Sequence, residues 1–159
     1  MKRVVVTGIG LVTPLGCGVD HVWNRLLKGD SGIRAIESFD VSDLPAKIGG
    51  EVPRGETADG LFNADDWVPP KDQRRMDAFI QYGMGAAQMA VQDSGWMPED
   101  DESRCRTGVL IGAGIGGLPE ISKSAKIVED RNVRKLSPFF IPASLINLVS
   151  GHVSIKYGF

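Results

Sequence analysis

The chain has 159 residues, 42% of them hydrophobic and 24% charged, which fits one globular domain and excludes a disordered tail. Eighteen basic residues against twenty acidic ones leave a formal charge of −2, so no overall field favours nucleic acid or a membrane surface. Cys17 and Cys105 are the only cysteines; they are too few for a secreted disulfide framework, and a reducing cytoplasm is the expected compartment.

Met1-Lys2-Arg3 ahead of an apolar run and Cys17 imitates a lipoprotein leader. Thr7, Gly8, Gly10 and Pro14 interrupt that run, so Val4 to Thr7 reads instead as a strand buried on both faces, entering a glycine turn. Asp20 can cap a first helix that carries Val22, Trp23, Leu26 and Leu27 and closes at Lys28-Gly29. This strand–helix unit opens an α/β fold. Residues 30 to 70 hold no sustained period and at most one short strand, near Ile48 to Val52; irregular stretches of this length are usually functional or interfacial.

Pro69-Pro70 opens the longest predicted helix, which runs to about Asp93 and stops at Ser94-Gly95. Met76, Phe79, Ile80, Ala87, Ala90 and Val91 form its apolar stripe, and Gly83 and Ala87 keep it slim enough for another backbone to approach. A polar connector, Pro98 to Arg106, leads into a second buried strand, Gly108 to Gly112. Leu118 to Lys135 is more polar and part helical. Ser137 to Pro142 reads as a rigid apolar loop, and a helix from about Ala143 to Tyr157, ended by Gly158, is apolar nearly all round. Such a helix belongs in the middle of a protein. Two strands cannot cover it, so the pattern reads as part of a larger fold. No apolar stretch reaches transmembrane length.

Three features invite chemistry. Gly112-Ala113-Gly114-Ile115-Gly116-Gly117 matches G-x-G-x-x-G after a predicted strand, the pattern of a dinucleotide site and hence of an oxidoreductase. That mechanism needs a helix to begin there, and Pro119 follows closely; a flexible loop holding Ile115 is the competing reading. Lys71, Arg74 and Arg75 stand at i, i+3 and i+4 and would share one helical face. The positive end of the helix dipole works against basic residues at that position. Two readings stay open: docking of an acidic partner, or a solvated face with Asp72 and Asp77 as local partners. Cys17 and Cys105 lack an activating base, His21 and His152 read as hydrogen-bonded core residues, and no metal-ligand spacing occurs.

Four segments in register carry a resemblance: Arg3 to Gly10, Gln73 to Gly83, Gly112 to Leu118, and Ser137 to Pro142. Together they closely resemble the β-ketoacyl-acyl-carrier-protein synthase II family, the elongating condensing enzymes of bacterial fatty-acid synthesis. The resemblance implies an α/β, thiolase-like αβαβα layered fold, of which residues 1–159 would be the N-terminal half. It also implies decarboxylative Claisen condensation of an acyl chain with malonyl-carrier protein to give 3-oxoacyl-carrier protein, in a cytoplasmic homodimer without a cofactor. In the family a cysteine at a helix N-terminus and two histidines carry the chemistry. Cys17, His21 and His152 do not match them, so this stretch by itself is expected to be inactive, and insoluble or molten. Ile115 matches the residue that gates the acyl tunnel. Phe140 and Ile141 match residues that line the acyl pocket of the partner subunit across the dimer interface. Lys71, Arg74 and Arg75 match the patch that docks the acyl carrier protein. The resemblance also sets the glycine loop at the acyl tunnel, against the nucleotide reading. A non-catalytic subunit of the chain-length-factor kind is the alternative.

Overall fold

In the computed structural model, residues 3–159 are described; Met1 and Lys2, which begin the leader-like start, lie outside them. A two-residue turn, Pro14-Leu15, joins β1 (Val12–Thr13) to β2 (Gly16–Cys17) as an antiparallel pair in the register Val12↔Cys17. Helix α1 (Val19–Leu27) follows, with Gly18 and not Asp20 at its N-cap, and ends where Gly29 turns left-handed at φ 75°. Arg25 at its last turn donates to the Leu15 carbonyl at 2.8 Å and pairs with Asp30, clamping the helix to the hairpin. Only Val22 of its apolar residues is buried.

Residues 30–70 hold more order than their composition suggests. β3 (Ile33–Ala35) and β4 (Ile48–Gly50) form a second antiparallel pair, so two strands stand where one was expected. Single 3-10 turns lie at Thr57–Asp59 and Ala64–Asp66.

The predicted long helix is two helices. α2 (Pro70–Gln73) ends at Arg74, and α3 (Ala78–Ser94) begins after Asp77, whose extended backbone (φ −69°, ψ 166°) breaks the run. The stop at Gly95 is as expected, with φ 65°. The polar connector contains α4 (Asp101–Cys105), capped by Asp100. Next come α5 (Leu118–Glu129), α6 (Phe140–Ser144) and α7 (Leu148–Tyr157). The Ser137–Pro142 loop is therefore partly helical. The last predicted helix is divided at Leu145–Asn147, because Leu145 takes an extended backbone (φ −70°, ψ 132°).

The core lies where α3 crosses α7: Val68, Met76, Ile80, Met84, Val149 and Val153 are buried together, with Trp67, Phe79 and Leu148 packed around them. Gly83 makes that crossing possible, since a Cβ there would run into Val149 Cγ2. The neighbour expected at Gly83 is another backbone; the atoms that fill the space belong to the Val149 side chain of α7. Within this chain the other side of α7 is open: Ile155 and, before the helix, Leu145 and Ile146 are exposed.

The two predicted buried strands are corrected as well. Val4 to Thr7 is irregular, with Val4 96% exposed, and Val109 to Ile111 is irregular, with Leu110 98% exposed. Neither run has a ladder partner among the described residues, and a strand exists only through its ladder. Val109 and Ile111 do pack on the α3–α7 core from one side. The N-terminal segment lies along α3 instead: Ile9 N donates to Asp93 Oδ2 at 2.9 Å, and at Gly8 and Gly10 a Cβ would meet the carbonyls of Ala90 and Ala86. Mixed helix and sheet, the α/β class, is what the chain forms. Among the described residues no helix is long and apolar enough to cross a membrane.

Candidate functional site

Residues 112–116 of the glycine loop rim a cleft of about 520 Å³ whose other walls are Ile111, Phe79 and Gly83 of α3, and Val149 of α7. The loop is fixed at one end and open at the other. Gly116 sits at φ 82°, and Gly117 N donates to the Ser144 carbonyl at 3.0 Å. A Cβ on Gly117 would lie 2.8 Å from both the Ala143 carbonyl and Asp77 Oδ2. Around Gly112 and Gly114 a Cβ would meet nothing within 4 Å. Between the two ends stands Ile115, 69% exposed.

A helix does begin behind this loop, with Pro119 in its first turn, where its missing N–H is no loss. The expectation that Pro119 opposes a helix there is corrected. A pyrophosphate would nevertheless find this helix start occupied. Asp77 Oδ2 accepts from Glu120 N at 3.0 Å, so a carboxylate already stands at this helix start.

Phe140 and Ile141 open α6, the first half-buried and the second exposed. Neither lines the Ile115 cleft. Within this chain the three candidate acyl-contact residues are not brought around one cavity.

The basic trio is exposed but divided. Since the helix ends at Arg74, Lys71, Arg74 and Arg75 do not continue along one regular face as expected. Arg75 turns toward α6 and α7: its guanidinium stands 5.0 Å over the Phe139 ring and lines a cleft of about 370 Å³ with Trp67, Asp72, His152 and Lys156. Arg74 lines a different cleft, of about 350 Å³, with Arg54, Gln81, Glu120 and Lys123. No ion pair joins any of the three to an acid among the described residues. Asp77, a supposed local partner, is spent on backbone amides.

Burial pushes the Cys17 thiol up, and the Asp66 carboxylate adds to the effect, so the thiolate is disfavoured. His21 lies flat against Gly60, where a Cβ would overlap its ring. Burial pushes His152 down; Asp72 opposes that and Arg75 adds to it. The expectation of a hydrogen-bonded histidine fails here, for His152 Nε2 and the neighbouring cleft residue Trp67 Nε1 are both buried without a partner. Lys156 Nζ donates to Gln88 Oε1 at 2.7 Å, and Gln88 Nε2 to the Trp67 carbonyl at 2.7 Å. This chain of bonds joins residues 68 and 21 positions apart, and no local pattern announces it. Arg54 escapes sequence reasoning for the same reason: only the fold brings it beside Arg74.

The profile of the family described as "Beta-ketoacyl synthase, N-terminal domain" matches residues 1–159. A 3-oxoacyl-(acyl-carrier-protein) synthase 2 from Rhizobium meliloti (strain 1021) is 55% identical over 157 residues, covering 99% of this chain and 37% of that protein. The synthase of the same name from Vibrio cholerae is 41% identical over 157 residues, covering 99% of this chain and 36% of that one. A crystal structure of a β-ketoacyl synthase from Burkholderia phymatum STM815 superimposes with a TM-score of 0.76 at 25% identity, covering 99% of this chain and 37% of that chain. The chain therefore spans little more than a third of the length of these relatives. Its whole length falls inside the family profile and over half of its aligned residues are shared with a synthase, so the chain belongs to the β-ketoacyl synthase family, within its N-terminal domain.

Proposed function

We propose that this chain is the N-terminal part of a condensing enzyme of fatty-acid elongation. The enzyme joins an acyl chain to malonyl-acyl-carrier protein and releases carbon dioxide and 3-oxoacyl-carrier protein. The observation that carries this reading is the 55% identity across 99% of the chain to a 3-oxoacyl-(acyl-carrier-protein) synthase 2. In that reaction loss of carbon dioxide leaves a carbanion equivalent on the carrier-bound unit, which attacks the acyl thioester carbonyl; the C–S bond breaks and its sulfur leaves as a thiol. Cys17, His21 and His152 take no part in it. The raised thiol of Cys17 supports that assignment.

The part taken by this chain is recognition. Ile115 gates the acyl tunnel: its exposed side chain on a loop free at Gly112 and Gly114 can swing without disturbing the anchored Gly116-Gly117 end. Phe140 and Ile141 line the acyl pocket of a partner subunit in a cytoplasmic homodimer, a role suited to apolar side chains that leave this chain's own cleft free. Lys71, Arg74 and Arg75, exposed and without acidic partners, steer the acidic carrier protein.

The test is condensation by the purified full-length protein, supplied with acyl-carrier protein and labelled malonyl-carrier protein. Formation of 3-oxoacyl-carrier protein with loss of label as carbon dioxide is expected. Absence of condensation by the protein alone, regained on adding a second synthase subunit, would assign it to the non-catalytic chain-length-factor kind. Ile115→Ala should change the preferred acyl length and leave the malonyl dependence alone.

A further inference from the structure

Arg74 belongs with Lys71 and Arg75 by sequence, yet the fold groups it with Arg54 and Lys123. These three cations come from separate parts of the chain: the stretch after β4, the end of α2 and the first turns of α5. Arg54, though exposed, is held in place. Its Nη2 donates to Tyr82 Oη at 3.1 Å, and its guanidinium lies 5.5 Å from the centroid of that ring. Tyr82 in turn meets the buried Phe62 edge to face at 4.9 Å. An exposed arginine stacked on an anchored ring loses less side-chain freedom when it binds an anion than a free one does.

Two carboxylates, Asp77 and Glu120, share the cleft with these cations. Asp77 accepts from the amides of Ala78 at 2.6 Å and Glu120 at 3.0 Å, so both its oxygens face helix termini. Glu120 is recessed, with its side chain 18% exposed, and pairs at 3.6 Å with Lys123 Nζ, whose side chain is 68% exposed. Arg74 has no acidic partner among the described residues. Arg54 and Arg74 are thus the cleft's cations without an acidic partner among the described residues, and Lys123 adds an exposed cation paired to a recessed acid.

We propose that the cleft walled by Arg54, Arg74 and Lys123 takes a carboxylate side chain of the acidic carrier protein, and so extends the docking surface from the α2 corner across to α5. This rests on the carrier-protein reading given above. Its cleft of about 350 Å³ has room for a carboxylate side chain, and its walls come from three separate elements, so the grip depends on the partner's surface fitting them all.

The experiment measures carrier-protein affinity of the full-length protein at low and at physiological salt, with Arg54→Glu, Lys123→Glu, Lys123→Ala and Arg74→Glu. Lys28→Glu, on the exposed end of α1, controls for net charge. Arg54→Glu and Lys123→Glu are each expected to weaken binding about five-fold, with a smaller loss for Lys123→Ala and a flatter salt dependence in all three. Lys123 lies on an exposed helical face, so its variants keep the test valid if Arg54→Glu disturbs Tyr82. Loss of affinity in Arg74→Glu with Arg54 and Lys123 variants at the wild-type value would overturn the cleft and leave carrier docking standing. Equal loss in Lys28→Glu would reduce the effect to net charge and overturn it too. Failure of the unaltered protein to bind carrier protein even at low salt would remove the underlying reading.

Discussion

Asp77 and Glu120 are 43 residues apart, yet one carboxylate oxygen of Asp77 accepts the Glu120 amide at 3.0 Å while the other accepts the amide of Ala78 at 2.6 Å. One side chain thus caps α3 and closes the start of α5 on the glycine loop. The same bond explains the break after α2: for Asp77 to reach both amides its backbone must leave the helix. That break turns Arg74 and Arg75 toward different clefts. A capping bond, a helix interruption and the division of the basic trio are one structural event.

Removing that carboxylate should be felt at both helices. A single N-cap is worth typically about 1 kcal/mol, and up to about 2 where the bond is well formed. Asp77→Ala is expected to lower stability by about 2–3 kcal/mol because two amides lose their charged acceptor, read as a shift of the urea midpoint. Asp77→Asn keeps only one carbonyl oxygen, without charge, and should fall between the two. Wild-type stability in Asp77→Ala would mean that water caps both amides equally well.

The crossing of α3 and α7 offers a second test. Gly83 is bare because Val149 Cγ2 occupies the space a Cβ would need. Gly83→Ala should gain about 1 kcal/mol or less in helix propensity and lose about 1–3 kcal/mol to overpacking, so net destabilisation is expected. Val149→Ala alone leaves a cavity, but combined with Gly83→Ala it should recover part of the loss. Additive losses in the double variant would show that the helices do not meet at this pair.

Ile80, wholly buried beneath the same crossing, sets the scale for the core. Ile80→Ala should cost about 2–5 kcal/mol. A loss below about 1 kcal/mol on calorimetry, under the range for a buried isoleucine, would place the core elsewhere.

What the amino-acid order made legible was local. The turn at Gly29, the stop at Gly95 and the slim face at Gly83 follow from glycine chemistry within a few residues, and each stands in the fold. The interruption at Asp77 was hidden because its acceptor role is completed 43 positions away. The runs at Val4 and Val109 have strand-like composition, but β structure depends on a partner that composition does not name. The candidate site divides in the same way. The exposure of the basic trio could be anticipated from residue type; that of Ile115, an apolar side chain, could not, nor could the sharing of Arg74 with Arg54 and Lys123, since nothing in their spacing joins them.

His152 supplies the last test, one of pH. Its ring lies in the cleft where Asp72 and Arg75 face it from the α2 corner, Lys156 from its own helix and Trp67 from the preceding turn, and its Nε2 is buried without a partner. Burial, the largest influence, holds its folded pKa below the ordinary imidazole value of 6.5. The folded state therefore binds this proton less readily than the unfolded chain. Stability from keeping the ring neutral is complete above pH 6.5 and is lost as pH falls from there through the folded value. In the full-length protein the urea midpoint should decline between about pH 7 and pH 5, and His152→Gln, which cannot take up the proton, should lessen that decline. Parallel profiles for the two proteins would show that the imidazole titrates as freely in the fold as in the unfolded chain.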